Sequence, residues 1–251
     1  MATIGEVLGI EIPYMSPLQF TDILMNSFAL QTESVIRAEI DKFNTEGAEN
    51  EVIEICPEEG IYHHFEYYCG LTSDEVMLDE IFTEYFPSLN RRSAFQTIYS
   101  TYEVELQSLC VRYREKLGGK KFKNYDGIGI LKVNNFVNHR FPALKDSPEW
   151  EQINRLRILR NHCVHDDGRA YKANKRVVIE IFELINANPE LFHHDGVIGT
   201  EEDGTPKTYS NGDPLRTGIH VLFEVGCLEF TIRAFEAYVK VLNDAFSQAS
   251  T

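Results

Sequence analysis

The sequence predicts a mainly α-helical protein, with a helical bundle over residues 91–251 and an acidic, mostly helical extension over residues 1–90. Long segments carry apolar residues at helical spacing, and strands and helices do not alternate along the chain. Charge is also divided unevenly. Residues 1–90 contain 2 Lys/Arg against 18 Asp/Glu, a net of −16, whereas residues 91–251 contain 22 against 21, a net of +1. We therefore expect two functional regions.

The extension should begin with a long helix over residues 17–43. Ser16 is a suitable N-cap, and Pro17 suits the first helical position. The apolar residues that follow form a helical face with irregular spacing.

Two short strands and a short helix are expected to complete the extension. The segments "EVIEI" (51–55) and "IYHHFEYY" (61–68) contain the β-branched and aromatic residues typical of strands. "TSDE" (72–75) has the capping-box pattern, which predicts a short helix ending near Phe86 and Pro87.

The second region should contain four or five helices in an up-and-down bundle, because its apolar residues recur at i, i+3, i+4 and i+7. The third of these helices has Ser147 as its N-cap and ends before Gly168. The β-branched run in the fourth leaves a strand possible. Residues 195–217 are rich in turn-forming types and predict an exposed loop or hairpin. The helices are expected at 91–117, near 127–140, from 148 to just before Gly168, at 175–192 and at 219–247.

Composition excludes several classes of protein. There is no apolar run of about 18 residues, so no transmembrane helix is expected. The N-terminal residues lack the basic and apolar parts of a secretory signal. The five cysteines are widely spaced without a C-x-x-C, which disfavours a disulfide framework and a zinc knuckle. These features predict a cytoplasmic protein.

The segment "RILRNHCVHDDG" (157–168) concentrates the polar groups that could carry chemistry. Asn161 and His165 are four residues apart, so they share a helical face. Arg160 lies about 140° from His165 around the helix, but its long side chain can bend toward the imidazole. An arginine binds phosphate oxygens, and a histidine moves protons near neutral pH. The alternative is a solvated helix end, where basic side chains favour the helix dipole.

The same residues resemble the signature of the HEPN superfamily, the higher eukaryotes and prokaryotes nucleotide-binding domain. That signature is an Arg, four to six residues and a His, with a polar residue commonly after the Arg. Here Arg160, Asn161 and His165 fit it with four intervening residues. The resemblance covers residues 91–247 and implies a HEPN-like core of four to five helices, with the motif near the end of an internal helix.

The resemblance also implies an activity. Many HEPN proteins are metal-independent endoribonucleases that act as homodimers, with the Arg and His of both protomers in one cleft. His165 would then be the general acid or base, or would position the attacking 2′-hydroxyl. Arg160 would stabilise the phosphate, and Asn161 would orient either partner. The products would be 2′,3′-cyclic phosphate and 5′-hydroxyl ends.

The family leaves other roles open for the whole chain. HEPN proteins often serve as toxins or phage-defence effectors, so an antitoxin or another regulatory protein is a possible partner. Other members are catalytically silent and only dimerise, or sense a nucleotide or a partner. For the acidic region we consider three roles: shielding a basic cleft by mimicking nucleic acid, packing on the bundle or helping it dimerise, or docking a partner.

A basic linker, "RYREKLGGKKFK" (112–123), is a candidate RNA-binding segment. It contains six Lys/Arg and one Glu. Tyr113 and Phe122 lie among these basic residues and are candidates for base stacking. The alternative is an ordinary solvated turn. The candidate RNA-binding residues are Arg112, Arg114, Lys120, Lys121, Lys123 and, on the motif helix, Arg157.

Other possible sites are weaker. "DGIGILK" (126–132) lacks the third glycine and the preceding strand of a phosphate-binding loop, so we interpret it as a helix start. His162, Cys163 and His165 have no second ligand cluster at metal-like spacing, and Cys163 falls on the apolar stripe with Leu159. The sequence therefore predicts neither a bound metal nor another cofactor.

Overall fold

The mainly α-helical class predicted from the sequence is confirmed. The structure, a computed structural model, describes residues 18–170, 178–194, 197–198, 216–217 and 220–248. Most of these residues are helical. The main helices are α1 (Gln19–Glu46), α2 (Phe86–Leu117), α3 (Ile130–Arg140), α4 (Pro148–His165), α5 (Ile179–Ala187) and α6 (Cys227–Gln248). Within the described ranges, no helix is both long and apolar enough to cross a membrane.

The strands of the described residues form small antiparallel sheets. A three-stranded sheet has the order β1 (Glu49–Cys56), β2 (Ile61–Tyr68), β3 (Leu71–Thr72). Two further pairs join β4 (Phe192–His194) with β7 (Val221–Phe223) and β5 (Val197–Ile198) with β6 (Arg216–Thr217).

The chain divides into two compact units. Of the described residues, unit 1 contains 18–27, 100–153 and 232–248, and unit 2 contains the rest. The predicted boundary between residues 90 and 91 falls inside α2, which runs continuously across it.

Unit 1 has an aromatic core in which polar groups are paired. Tyr102 stacks on Phe235 with 4.6 Å between ring centroids, and its hydroxyl donates to Asp22 Oδ1 at 2.7 Å. Partial burial raises the pKa of Asp22 above its ordinary 3.8, and the hydrogen bond from Tyr102 opposes this. The N-terminus of α3 is capped from α2, since Ile130 N–H donates to Glu103 Oε2 at 3.1 Å.

A buried ion pair joins separate elements of unit 2. The Arg91 guanidinium donates to both carboxylate oxygens of Glu33, with Nε–Oε1 at 2.9 Å and Nη2–Oε2 at 3.0 Å. Its Nη1 donates to the carbonyl of Phe223 at 3.2 Å, which ties β7 to α2. Arg91 is only 5% exposed, so this pair lies in the core.

The predicted strands of the extension are confirmed, whereas the short helix after them differs from the prediction. Ser16 and Pro17, the predicted start of α1, lie outside the described residues. Glu75 does accept hydrogen bonds from Thr72, but Thr72 ends β3 and Glu75 lies in the turn that follows it. The helix begins later, at Leu78.

The expected helix end near Phe86 and Pro87 is also wrong. A π-helical turn, Ile81–Tyr85, joins the first helical turn directly to α2. Phe86 N–H donates to the carbonyl of Ile81, five residues back. The wider turn lies where Pro87 lacks the N–H that a regular helix would use, so the chain stays helical across the proline.

In the second region, the clearest local signals are confirmed. Ser147 caps α4, because its Oγ accepts the N–H of Trp150 at 3.2 Å. The segment predicted as helix 175–192 is helical over Ile179–Ala187 and then enters β4, while residues 175–177 lie outside the described residues. The described ends of the predicted 195–217 loop or hairpin, β5 and β6, pair antiparallel.

The predicted last helix begins too early. Residues 221–223, expected at its start, form β7 and pair with β4. The helix itself begins at Cys227, after Gly226 with a φ of 94°. The apolar "VLF" fits either structure locally, and its partner strand decides in favour of a strand.

Candidate functional site

The C-terminal half of α4, in unit 2, presents the residues of the Arg-x4-His motif. Arg157, Asn161 and His165 follow one another at four-residue steps and share one helical face. Arg157 donates from Nε to Asn154 Oδ1 at 3.0 Å, one turn earlier on the same helix. This face is polar along its length.

Arg160 reaches this polar face through Asn161. Its Nη1 donates to Asn161 Oδ1 at 3.2 Å. Its guanidinium carbon lies 6.0 Å from the ring centroid of Tyr99, within the range of a cation–π contact. The buried Nε has no hydrogen-bond partner among the described residues. The half-buried guanidinium thus packs on Tyr99 and hydrogen-bonds Asn161, which shares a helical face with His165.

His165 is exposed at the end of α4. Within the described part of the chain, its imidazole has no hydrogen bond or ion pair. Both ring nitrogens are therefore accessible to a proton-bearing group in solvent. An accessible imidazole one turn from an arginine-bound amide can combine proton transfer with phosphate binding.

The backbone just after His165 is fixed from α2. Arg92 donates from Nη2 to Asp167 Oδ1 at 2.8 Å and from Nη1 to the Asp167 carbonyl at 2.7 Å. Asp167 and Gly168 both have positive φ, 54° and 74°, and Gly168 N–H donates to the His162 carbonyl at 2.9 Å. These contacts hold the end of α4 two residues beyond His165.

The two aspartates after the motif contact groups other than Arg160. Asp166 Oδ2 lies 3.2 Å from His162 Nδ1, one helical turn back. Asp167 contacts Arg92 and lies 3.7 Å from His220 Nε2. Neither carboxylate neutralises the cation of the motif.

Cys163 lies on the apolar side of α4, as the sequence predicts. It is buried, and burial raises the pKa of its thiol to about 12. A thiol held protonated at neutral pH is not a nucleophile.

The basic linker lies in unit 1, apart in sequence from the motif. Its candidate RNA-binding side chains are exposed or half-buried, and Lys120 lies over the ring of Tyr125 at 4.6 Å. The two rings proposed to stack on bases instead pack against other aromatic rings of the protein, so the sequence prediction is wrong for them. Tyr113 stacks on Phe246 with centroids 3.9 Å apart, and Phe122 is 9% exposed and packs edge-on against Phe136.

Sequence reasoning missed Tyr99, Arg92 and His220, which surround the motif. They come from other elements, and Arg92 is 75 residues from Asp167 in the sequence. No local spacing signals such contacts. Among the described residues, no group of three or more His, Cys, Asp or Glu side chains is arranged to hold a metal ion.

Comparisons with known proteins do not assign the chain to a family. No protein-family model matches it, and neither does any curated protein or solved structure.

Proposed function

We propose that this protein is a metal-independent endoribonuclease of the HEPN type, active as a homodimer with a composite site. One observation carries the proposal: Asn161 hydrogen-bonds the Arg160 guanidinium one helical turn from the exposed His165. An arginine, an amide and an accessible imidazole are groups that can support phosphoryl transfer without a metal. We also propose that the helices of residues 91–251 form a HEPN-type bundle, which is supported only by the mainly α-helical class of the protein.

The reaction follows from these groups. His165 removes the proton of a ribose 2′-hydroxyl, and the 2′-oxygen attacks the adjacent phosphorus. The new bond joins the 2′-oxygen to phosphorus, and the bond from phosphorus to the 5′-oxygen breaks. The 5′-oxygen takes a proton from the histidine of the second protomer. The products are a 2′,3′-cyclic phosphate and a 5′-hydroxyl.

Arg160 and Asn161 stabilise the charge that develops on the phosphate. A guanidinium donates two parallel N–H groups to phosphate oxygens. Asn161 fixes the direction of the guanidinium and keeps it on the face of His165.

In this proposal, exposed and half-buried cations contact the phosphates of the RNA backbone. Phosphate contacts position a nucleic acid without reading its sequence. The contributing side chains are Arg112, Arg114, Lys120, Lys121, Lys123 and Arg157. In the cytoplasm, such an activity suits a toxin or phage-defence effector held in check by an antitoxin or regulatory protein.

The test is RNA cleavage in excess EDTA by wild type, Arg160→Ala and His165→Ala. Arg155→Ala is the matched control, because Arg155 is on the same helix but pairs with Glu183 at 3.4 Å. We expect wild type and the control to cleave, and each motif variant to lose about 100-fold or more. End-group analysis should find 2′,3′-cyclic phosphates.

Two results would contradict the proposal. Cleavage that survives both motif substitutions would place the activity elsewhere or in a contaminant. A folded dimer that cleaves neither total RNA, tRNA nor structured RNA would favour a catalytically silent module that dimerises or senses a nucleotide or partner.

A further inference from the structure

The hairpin of β1 and β2 is protected along one edge and open along the other. On the β2 side, β3 pairs with Tyr67 and Tyr68, and Ser73 N–H donates to the carbonyl of Glu66 at 2.8 Å. His63 Nε2 lies 2.5 Å from Asp74 Oδ2, which extends this cover along β2. On the outer side of β1, no described residue forms a backbone hydrogen bond with residues 49–55. The carbonyl of Cys56 accepts the N–H of Glu59 at 3.2 Å in the turn that leads to β2.

Both faces of β1 also carry exposed apolar side chains. Cross-strand partners share a face, so Ile53 lies with His63 on one face and Val52 with His64 on the other. Val52 and Ile53 are each 53% exposed, and Ile55 is 63% exposed. Burial of β-branched side chains is the main source of sheet stability, and here it is incomplete on both faces.

The hairpin is nevertheless anchored at its β2 end. Tyr68 packs edge-on against Phe43 of α1 and against Phe82, with centroids 4.9 and 4.8 Å apart. Phe43 and Phe82 stack on each other at 5.3 Å. This aromatic cluster packs the β2 end of the hairpin against α1 and leaves β1 at the edge of its sheet.

The segment that contains this edge is strongly acidic. Residues 43–90 contain 12 Asp/Glu and no Lys or Arg. On β1 itself, Glu51 and Glu54 flank Val52 and Ile53, and the two glutamates point to opposite faces. Each face of β1 therefore presents both an acidic and an apolar side chain.

We propose that the β1 edge docks an extended, basic segment of a partner protein, which adds a strand to the sheet. Backbone hydrogen bonds to β1 would supply affinity, and lysine or arginine side chains opposite Glu51 and Glu54 would supply specificity. Apolar side chains of the same segment would cover Val52 and Ile53.

The charge also decides against the simplest other occupant, a second copy of this chain. Pairing two β1 edges would bring two sets of like-charged glutamates together, and like charges directly opposite destabilise a sheet. Charged residues on an edge strand commonly prevent self-association. The glutamates that repel a second copy attract a basic strand.

The test measures binding of a fluorescent peptide, KKVVKKVV, to the full chain by fluorescence anisotropy. The repeat places lysines and valines on both faces of an added strand. Hydrogen exchange should show slower exchange of the amides of residues 49–56 when the peptide is bound. Neither readout depends on ribonuclease activity.

Control peptides separate strand addition from charge attraction. KKGSKKGS has the same charge and low strand propensity, and a backbone N-methylated KKVVKKVV cannot donate along its edge. We expect each to bind about tenfold more weakly than the parent peptide. EEVVEEVV should not bind.

Protein variants locate the site. Glu51→Lys with Glu54→Lys should weaken binding by about tenfold. The control, Glu80→Lys with Glu84→Lys, changes net charge equally at exposed helical residues outside the hairpin, and it should change affinity by about twofold or less. Circular dichroism confirms that both variants are folded.

Three results would overturn the proposal. Equal binding of KKVVKKVV and KKGSKKGS would show attraction by charge alone. Equal loss in both double variants would show that no specific edge is involved. Protection of residues 49–56 that rises with protein concentration without peptide would identify a second copy as the occupant.

Discussion

Replacing Arg91 by methionine should destabilise the protein strongly. The change leaves the Glu33 carboxylate without its cation and the Phe223 carbonyl without its donor. Removing one partner of a buried ion pair costs about 3–5 kcal/mol. The Glu33 side chain is 20% exposed, so water recovers part of the loss, and we expect about 3 kcal/mol.

A second variant separates the cost of the unpaired Glu33 charge from the cost of the packing lost with Arg91. Arg91→Met with Glu33→Gln removes the unpaired charge, and it should be about 1–2 kcal/mol more stable than Arg91→Met alone. Arg155→Met is the control, because its pair with Glu183 is exposed and should contribute less than about 1 kcal/mol.

Equilibrium unfolding in urea, followed by circular dichroism, measures these differences. Thermal unfolding should show a Tm lowered by about 6–12 °C for Arg91→Met. A loss below about 1 kcal/mol, or a double variant no more stable than the single one, would refute the reasoning from the buried pair.

Three further predictions follow from described contacts. The folded state raises the pKa of Asp22 and so favours its protonated form. In urea titrations, the stability of wild type relative to Asp22→Asn should therefore fall as the pH rises above 3.8. A difference that stays constant with pH would contradict this. Iodoacetamide at neutral pH should label exposed Cys69 quickly and buried Cys163 only on unfolding, as peptide mass spectrometry would show; equal rates would contradict the burial. Arg92→Ala should free Asp167 and slow single-turnover RNA cleavage by about tenfold, if the proposed ribonuclease is correct; an unchanged rate would remove Arg92 as a positioning residue.

The features predicted correctly from the sequence are those that depend on residues close together in the chain. Ser147 predicted the start of α4 because a cap bonds a residue three positions along the chain. The four-residue step from Asn161 to His165 predicted their common face for the same reason. The strands of the extension were likewise predicted from their composition.

Contacts between distant segments could not be predicted in this way. The pairing of β4 with β7 joins residues about thirty apart, and it turned the expected start of α6 into a strand. Tyr113 and Phe122 were predicted to stack on bases because the sequence does not show that distant residues, Phe246 and Phe136, pack against their rings. Spacing allowed Arg160 to bend toward His165, but only the side-chain contacts with Asn161 and Tyr99 show its direction.

The π-helical turn at Ile81–Tyr85 makes this part of the chain unusually tolerant of a change in length. Deleting a residue from a regular helix rotates everything beyond it by about 100°. A π turn already holds one extra residue, so removing Glu84 can restore a regular turn without rotating α2 against the hairpin. The obstacle is Pro87, whose ring would meet the carbonyl four residues back. Loss of Glu84 together with Pro87→Ala should therefore leave the fold intact, whereas loss of Glu84 alone should not.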